Sequence, residues 1–388
     1  MDSVAVIFGG RSAEHDISII TAIASIIKPL ELTKKYKVEA VYIAKDGAWY
    51  WDDKLKNIDL FASGGIDDFI KKSQPLSLSF NGSFMLVKSS GIPGRSRHSK
   101  IDVVFPAMHG TYGEDGALMG LLDMTGVAYV GCGLSASAVA MDKALAKQVA
   151  LANNLPTSKF LVFSRSQIEH ESNELLGQIK QALHYPMFVK PTHLGSSIGI
   201  SRVDSDTNLI NALETAAHYD DKVIVEEAVG NLIEVTLPIM GNQTLTPALL
   251  EQPLTKPEDF FDFDTKYLRG GKGKIKGGAT KGSQGYSQIP AKLPKQVYSR
   301  AERLGCDIYR ALGCSGIARV DMLIDSKSGQ AYFNEVNPLP GSLYAHNWRA
   351  AGLSNVDLVE KLIELAKQRQ AGIDATTTTF STNFLKQF

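Results

Sequence analysis

A short apolar run that ends in two glycines and leads into a helical pattern is the feature that most restricts this fold. Residues 4–8 have the length and composition of a buried strand, and Gly9 and Gly10 follow directly. Ser12 then precedes apolar residues at helical spacing over about 17–27. Two further strand-like runs alternate with helical segments, at 38–43 and 101–106. This order predicts a parallel α/β layer in the N-terminal part of the chain.

The composition excludes two classes of partner. Lys+Arg and Asp+Glu both total 41 among 388 residues, so no general field attracts nucleic acid or an anionic membrane. No apolar stretch reaches the roughly 20 residues that a membrane-spanning helix needs. We therefore expect no nucleic-acid and no membrane partner. The length suffices for two or three domains with large cores.

The cysteines predict a reducing compartment. Cys132, Cys306 and Cys314 have neither the spacing of a zinc site nor that of a disulfide framework. Three reduced thiols are typical of cytosolic proteins. The apolar run at 4–8 has no basic segment before it and no small-residue cleavage site after it. We expect a cytoplasmic protein.

Beyond residue 130 the pattern predicts more strands than helices. Helices are predicted at 134–153 and 294–312, and a last one from a Ser354 cap to about 368. Strands are predicted at 187–190, 223–225, 233–239, 317–324 and 331–336. The segment 51–98 is polar and weakly periodic, which indicates a surface insertion or hairpin. Residues 269–287 are rich in Gly and Lys and predict a long mobile loop.

The sharpest chemical signal lies on the last two predicted strands. Asp321 lies on the first of them, and Glu335 and Asn337 end the second, two residues apart and so on one face. Three oxygen ligands on neighbouring strands suit magnesium that is shared with substrate phosphates. Arg319 shares the face of Asp321 and can stabilise developing negative charge. The alternative is a set of solvated polar residues at strand ends.

Three lysines and a glycine-serine loop add capacity for phosphate binding. Lys143 lies in a helical segment, Lys190 ends a strand, and Lys266 follows an aromatic and acidic run. The loop at 195–199 can present backbone N–H groups to an anion. It is not a Walker A motif, because no Gly-Lys-Ser/Thr follows at the required spacing. Taken singly, each lysine is more often a solvated surface residue.

Two N-terminal groups are candidates for substrate contacts. The turn at 9–12 lacks the Gly-x-Gly-x-x-Gly pattern of a dinucleotide site. Glu14 either favours the N-terminus of the following helix as a first-turn acid or anchors a substrate ammonium. His109 follows a strand and begins a glycine-containing loop, where binding groups are common.

Taken in order along the chain, these runs resemble the D-alanine–D-alanine ligases over about residues 3–368. The matching runs are 8–15, 109–116, 141–143, 190–199, 261–267, 319–321 and 334–337. The resemblance implies an α/β (α+β) chain with the ATP-grasp fold. It divides the chain into an N-terminal substrate-binding domain (1–131), a central ATP-grasp domain (132–229), a C-terminal catalytic domain (230–370) and a tail (371–388).

The resemblance also implies the reaction. The carboxylate of one D-alanine attacks the γ-phosphate of ATP and gives an acylphosphate, which the amine of a second D-alanine then attacks. Magnesium, or manganese in its place, assists the transfer of the phosphoryl group. The product, D-alanyl-D-alanine, serves peptidoglycan synthesis and so cell shape. The family further suggests a homodimer.

The resemblance assigns the substrate contacts residue by residue. Glu14 holds the ammonium of the first D-alanine, and Ser196 and Tyr267 close the pocket through hydrogen bonds with it. His109 lies near this first substrate. Arg319 and the Gly341 backbone stabilise the tetrahedral intermediate. Ser342 and Leu343 hold the carboxylate of the second substrate.

The nucleotide contacts follow in the same way. The phosphates are assigned to Lys143, Lys190 and Lys266, and the adenine side is assigned to Glu226 and Glu227. The metal ligands are Asp321, Glu335 and Asn337. The family's ribose-binding glutamate falls on Leu232 here, which leaves Glu234, on the same strand face, as the candidate. The basic loop at 269–287 corresponds to the lid that excludes water from the acylphosphate.

One departure from the family leaves the second substrate open. Residues 337–341 run straight into the Ser342–Leu343 pair, without the few residues that usually separate them. This shortening motivates an alternative in which the acceptor is D-lactate, D-serine or another amino acid. Tyr267 favours an amine acceptor over a hydroxy acid. A third hypothesis, from another class, is a non-catalytic ATP-binding regulator on the same scaffold.

Overall fold

Alternating strands and helices build the part of the chain that the structure, a computed structural model, describes: residues 1–89, 96–254, 280–282, 285–379 and 381–387. The strands are β1 (Asp2–Gly9), β2 (Tyr36–Ile43), β3 (Trp49–Trp51), β4 (Ser77–Ser79), β5 (Met85–Ser89), β6 (Ser96–Lys100), β7 (Val103–Pro106), β8 (Ala128–Tyr129), β9 (Phe160–Ser164), β10 (Met187–Pro191), β11 (Ser201–Val203), β12 (Lys222–Glu227), β13 (Leu232–Gly241), β14 (Leu245–Pro247), β15 (Gln252–Pro253), β16 (Thr280–Gly282), β17 (Gly285–Gln288), β18 (Gly316–Asp325) and β19 (Gln330–Asn337).

The helices lie between these strands. They are α1 (His15–Ile20), α2 (Lys28–Thr33), α3 (Ile58–Ala62), α4 (Gly65–Lys72), α5 (Ala117–Thr125), α6 (Leu134–Met141), α7 (Lys143–Ala152), α8 (Arg165–His170), α9 (Ser172–Ala182), α10 (Asp206–Tyr219), α11 (Lys295–Ala311), α12 (Ala345–Ala350) and α13 (Asn355–Asp374). A π-helical segment, Thr21–Ile27, joins α1 to α2 without a break. Short 3₁₀ segments occur at Asp53–Lys56, Gly341–Tyr344 and Phe384–Gln387.

The predicted parallel α/β layer is confirmed. β1 pairs in parallel with β2 and β7, and β8 pairs in parallel with β7. The strand order is β3-β2-β1-β7-β8, with β3 antiparallel at the edge. Val4 to Phe8 are fully buried, because a central strand with both faces covered needs apolar residues throughout.

Two antiparallel four-stranded sheets lie in the chain beyond the N-terminal sheet. Their strand orders are β11-β10-β12-β9 and β14-β13-β18-β19. All five strands predicted beyond residue 130 are present, each lengthened by one to three residues. The helix predicted at 134–153 is instead two helices. Asp142 breaks it, because its backbone is extended and its carboxylate accepts from the N–H groups of Ala144 and Leu145, both at 3.0 Å.

The segment 51–98 contains the predicted hairpin, since β5 and β6 pair antiparallel. It also holds two helices, α3 and α4, and a third antiparallel strand, in the order β4-β5-β6. Part of the predicted loop 269–287 is extended, because β16 and β17 pair with each other and β15 pairs with β17. Residues 269–279 and 283–284 lie outside the described residues.

The last long helix completes the core of the N-terminal sheet. Leu358, Leu362 and Ile363 of α13 belong to the same buried cluster as Val4 and Val6 of β1. Ser354 caps α13 as predicted, since its hydroxyl accepts from the N–H of Asp357, and the helix runs on to Asp374. At its C-terminal end the Arg369 guanidinium donates to the carbonyl oxygens of Tyr129 and Gly131.

The prediction of reduced cysteines is met, since Cys132, Cys306 and Cys314 are all free thiols. Among the described residues, no helix combines the length and the apolar character that a bilayer span requires.

Candidate active site

The predicted acidic residues lie together at the paired ends of β18 and β19. In the register of these strands Asp321 lies opposite Glu335, and Arg319 lies opposite Asn337. Because side chains alternate along a strand, these four share one face of the sheet. The Asn337 amide donates to Asp321 Oδ2 at 3.1 Å. The arrangement gathers two carboxylates and an amide at one partly open position, as the sequence predicted.

A buried arginine borders this position. Arg319 donates through Nε and Nη2 to the two oxygens of Asp321, at 2.7 and 2.6 Å. Burial opposes the charge of this guanidinium, but the Asp321 carboxylate outweighs it and raises the pKa of Arg319. The guanidinium also lies 5.0 Å from the centre of the Tyr344 ring. Arg319 is therefore a fixed cation that a bidentate pair holds in one orientation.

Lys143 connects the acidic position to the glycine-serine loop. Its Nζ lies 3.4 Å from Glu335 Oε2 and donates to the carbonyl oxygen of Leu194 at 2.6 Å. Within that loop Ser196 and Ser197 have left-handed backbones, with φ of 55° and 61°. Consecutive residues of this kind form concave turns that bind anions. The predicted phosphate lysine, the loop and the metal ligands thus lie side by side.

A buried ion cluster is centred on Glu226. Glu226 lies between Lys190, at 2.7 Å, and Lys147, at 3.3 Å. Burial alone would raise the pKa of Glu226, but the two ammonium groups lower it to about 2. Each carboxylate oxygen of Glu226 therefore faces one ammonium group, Oε2 that of Lys190 and Oε1 that of Lys147.

Lys147 was missed by the sequence reasoning. It is fully buried and donates to Thr157 Oγ1, Ser158 Oγ and the carbonyl oxygen of Phe333. It lies one helical turn after Lys143, so its spacing was the available signal. Burial lowers the pKa of Lys147, and the carboxylate of Glu226 opposes that shift.

The two other glutamates predicted for the nucleotide lie apart from each other. Glu227 is paired with Met187 across β10 and β12, which directs its side chain to the sheet face opposite Glu226. Its carboxylate lies 3.3 Å from His184 Nδ1 and away from the lysines. Glu234 lies two residues before Thr236, which pairs with Asp321, and so shares the face of the acidic position.

The N-terminal candidates form a second pocket. The Ser196 hydroxyl donates to Glu14 Oε1, which joins the glycine-serine loop to the start of α1. Burial raises the pKa of Glu14, and the nearby carboxylate of Glu114 raises it further. A pocket that crowds two carboxylates has an affinity for a cationic group, because an ammonium would relieve their repulsion.

His109 forms the wall of this pocket. It is buried, its Nδ1 lies 3.6 Å from Glu114 Oε1, and its Nε2 lies 3.0 Å from the Thr21 hydroxyl. Burial lowers the pKa of His109, but the carboxylates of Glu114 and then Glu14 outweigh it, so the net shift is upward. Glu114 was not among the predicted site residues, although it lies in the same glycine-containing run as His109.

The Ser342–Leu343 pair lies in a strained turn. Ser342, Leu343 and Tyr344 all have left-handed backbones, with φ of 51°, 53° and 52°. Each such residue costs about 1–2 kcal/mol, so the surrounding structure must hold the turn. The side chain of Leu343 is buried in the N-terminal core, which leaves its backbone to contact a ligand. A Cβ added to Gly341 would meet open space.

Lys266 and Tyr267 lie outside the described residues. Their predicted roles at the phosphates and at Glu14 stay predictions. Every other predicted site residue is described. The side chain of Glu227 lies on the opposite sheet face, and that of Leu343 lies in the N-terminal core.

His193, two residues before the glycine-serine loop, lies between two aspartates. His193 Nδ1 lies 3.0 Å from Asp220 Oδ1, and its Nε2 lies 3.4 Å from Asp142 Oδ2. Lys222 is also paired with Asp142. The group His193, Asp220 and Asp221 has the spacing of metal ligands. The hydrogen bonds to Asp142 and Asp220 raise the pKa of His193 to about 9, so these pairings favour the protonated imidazole.

We expect His193→Gln to lower the melting temperature by a few degrees at pH 6 and by almost nothing at pH 10. A pKa that folding raises from 6.5 to about 9 gives stability that is complete below 6.5. That stability disappears as the pH rises through 9, when the imidazolium loses its proton. Thermal unfolding of both proteins at the two pH values checks this. His170→Gln, at an exposed position, is the control, and an equal loss at both pH values would contradict the prediction.

Comparison with known families covers nearly the whole chain. The family model described as "D-ala D-ala ligase N-terminus" matches residues 3–132. The model described as "D-ala D-ala ligase C-terminus" matches residues 149–364. The two matches include Glu14, His109, Glu226, Arg319, Asp321, Glu335 and Asn337, while Lys143 and Lys147 lie in the short stretch between them.

Curated relatives and solved structures agree with these matches. The D-alanine–D-alanine ligases of Chlorobium phaeovibrioides and Acetivibrio thermocellus are each 37% identical, over 94% of this chain and 96% of their own length. The structure of the D-alanine–D-alanine ligase from Coxiella burnetii has a TM-score of 0.77 at 28% identity and covers 96% of both chains. The VanG D-Ala:D-Ser ligase from Enterococcus faecalis has a TM-score of 0.75 at 31% identity and covers 94% of this chain and 99% of its own.

Proposed function

Because the chain belongs to the D-alanine–D-alanine ligase family, we propose that its two pockets join two D-alanines through an acylphosphate. The chain is an ATP-dependent, ADP-forming ligase that serves peptidoglycan synthesis. The observation that carries the residue-level proposal is the contact between Lys143 and Glu335. It places the candidate phosphate-binding cation, Lys143, beside the candidate metal-binding carboxylate, Glu335. Both adjoin the glycine-serine loop that contacts Glu14.

The donor groups fit a divalent cation and a nucleotide. Asp321, Glu335 and Asn337 offer oxygen donors on one sheet face, which suits magnesium, or manganese in its place. When bound, the cation neutralises charge on the phosphate oxygens during phosphoryl transfer. Glu226, at the centre of the buried ion cluster, is our candidate for the adenine side, and Glu234 is our candidate for the ribose.

The residues of the chain divide the work between binding and charge stabilisation. Glu14 holds the ammonium of the first D-alanine, and the Ser196 hydroxyl fixes the Glu14 carboxylate by donating to its Oε1. Lys143 and Lys190 orient the phosphates, together with Lys266. Arg319 lies beside the acidic position, where the carbonyl oxygen of the acylphosphate gains negative charge when the second amine attacks it.

The remaining substrate contacts belong to the loops. We assign the wall of the first-substrate pocket to His109 and its closure to Tyr267. The Gly341 backbone assists Arg319 at the tetrahedral intermediate, and the Ser342–Leu343 turn holds the second carboxylate. Glu227 is kept only for its backbone, because its side chain lies on the other sheet face.

D-serine is the second candidate acceptor. The VanG ligase, named for a D-Ala:D-Ser product, is similar to this chain over nearly its full length. The Ser342–Leu343 turn also lacks the few residues that usually precede it in the family, so we expect the acceptor pocket to differ in shape from that of other members. A different acceptor would leave the first pocket and the acidic position unchanged.

The test is ADP release by the purified protein with ATP and magnesium, while D-alanine, D-alanine plus D-serine, D-alanine plus D-lactate and other amino acids are offered in turn. Product masses identify the acceptor. We expect turnover with D-alanine alone and a product of the mass of D-alanyl-D-alanine. Turnover that requires D-serine would move the function to the second candidate. ATP binding without turnover of any pair would contradict both and favour a regulator.

We further propose a division into 1–131, 132–229 and 230–370, followed by a tail at 371–388. The five-stranded sheet and the two four-stranded sheets each fall within one of the first three ranges. A homodimer and a cytoplasmic location, where ATP is made and thiols stay reduced, complete the proposal.

A further inference from the structure

A buried threonine lies between the Glu14 pocket, assigned to the first substrate, and the Ser342–Leu343 turn, assigned to the second. Thr21 is fully buried at the point where α1 passes into the π-helical segment. Glu14 directly precedes α1, at the other end of the same helix. The contact between the Thr21 hydroxyl and His109 places Thr21 beside the wall of the first-substrate pocket.

The Thr21 hydroxyl has a partner in each pocket. Its oxygen accepts from the backbone N–H of Ser342 at 3.0 Å and lies 3.0 Å from His109 Nε2. A hydroxyl oxygen has two lone pairs, so it can serve both groups at once. Ser342 and Thr21 are 321 positions apart in the chain, and this contact joins the two ends of the site directly.

The turn that carries Ser342 needs such a partner. Three consecutive left-handed residues are unfavourable, and two backbone bonds support the turn, from Leu343 N–H to the Pro340 oxygen at 2.9 Å and from Ala345 N–H to the Ser342 oxygen. Thr21 binds the N–H at the first strained residue. Without the hydroxyl, this partly buried N–H would lose its protein acceptor, and the turn could relax to ordinary backbone angles.

We propose that Thr21 is a positioning residue for the acceptor: its hydroxyl holds the Ser342–Leu343 turn against His109, so that the second substrate is placed opposite the first. This inference rests on the proposed function. It deepens that function by naming a side chain, distant in sequence, that sets acceptor binding. The second substrate then depends on Thr21, while the nucleotide does not.

The test compares Thr21→Val, which keeps the shape and loses the hydroxyl, with Thr21→Ser, which keeps the hydroxyl. We expect Thr21→Val to raise the KM of the second D-alanine about 10- to 100-fold with the KM of ATP unchanged. We also expect more than one ADP per dipeptide, because a badly placed acceptor leaves the acylphosphate to water. Thr21→Ser should match the wild type.

Controls separate positioning from folding. Thr125→Val is the matched variant, since the Thr125 hydroxyl bonds only within its own helix end, to the Leu122 oxygen. Melting temperatures are measured for all variants, and Thr21→Ala replaces Thr21→Val if the latter does not fold. A folded Thr21→Val with a wild-type acceptor KM and one ADP per dipeptide would overturn the inference alone. Wild-type protein that forms no dipeptide with any acceptor would overturn the proposed function and this inference with it.

Discussion

Glu335→Gln is expected to lower the rate of ADP release about 10³-fold at a fixed magnesium concentration. Its carboxylate lies opposite Asp321 and 3.4 Å from Lys143 Nζ, so under the proposed function it contacts both the metal and the phosphate side of the site. The amide keeps the shape and removes one negative charge. Loss of metal-assisted charge neutralisation costs several kcal/mol, and each 1.36 kcal/mol is a factor of ten in rate. Initial rates of ADP release check the prediction.

A magnesium titration makes this test specific. The variant should need more magnesium for half-maximal rate, because a ligand of the cation has lost its charge. Glu364→Gln, on the exposed side of α13, is the matched control and should behave as the wild type. If Glu335→Gln kept more than a tenth of the wild-type rate with an unchanged magnesium requirement, Glu335 would not be a metal ligand.

Arg319→Lys is expected to lower kcat about 10²-fold while the KM of ATP changes little. The guanidinium makes two parallel bonds to Asp321, and a lysine ammonium cannot reproduce that fork. The positive charge stays, but its position moves relative to the reacting carboxylate. Misplacing one donor that stabilises a developing oxyanion costs about 10²–10³ in kcat. Steady-state kinetics with separate variation of ATP and D-alanine measure the split.

The control for this substitution is Arg310→Lys, on the exposed surface of α11. Both variants are compared with the wild type in thermal unfolding, since Arg319 is buried and its pairing with Asp321 also contributes to folding. A stable Arg319→Lys protein with wild-type kcat would remove Arg319 from the chemical steps. An equal increase in every KM with kcat intact would assign it to uniform binding instead.

The sequence predicted the strands better than the connections between them. Apolar runs such as residues 4–8 predict a buried strand because no other environment tolerates them. The break at Asp142 was missed, since the apolar pattern continues through it and only the capping bonds interrupt the helix. The strands at 77–79, 85–89 and 96–100 were not placed individually, because they form a small sheet with few apolar residues.

For the site, local spacing identified candidate residues that lie on one strand. It did not identify residues whose contacts are with distant segments of the chain. Glu335 and Asn337 were predicted to share a face from their two-residue spacing alone. Lys147 and Thr21 were not recognised, because their partners at 333 and 342 lie 186 and 321 positions away. Thr21 has no local signature of function, and the spacing of Lys147 from Lys143 alone does not show that its side chain is buried. Their roles depend on pairings that only the folded chain makes.

The packing of α13 on the N-terminal sheet has a consequence for synthesis. A ribosome makes β1 first and α13 last of the long helices, yet both belong to one buried cluster. The face of the sheet that α13 covers therefore stays uncovered until that helix has emerged from the ribosome. Domains generally fold in order from the N-terminus during translation, but the core of this one is closed only when α13 docks. An uncovered apolar face of this kind is a surface that chaperones bind, so we expect this part of the chain to need their protection during synthesis.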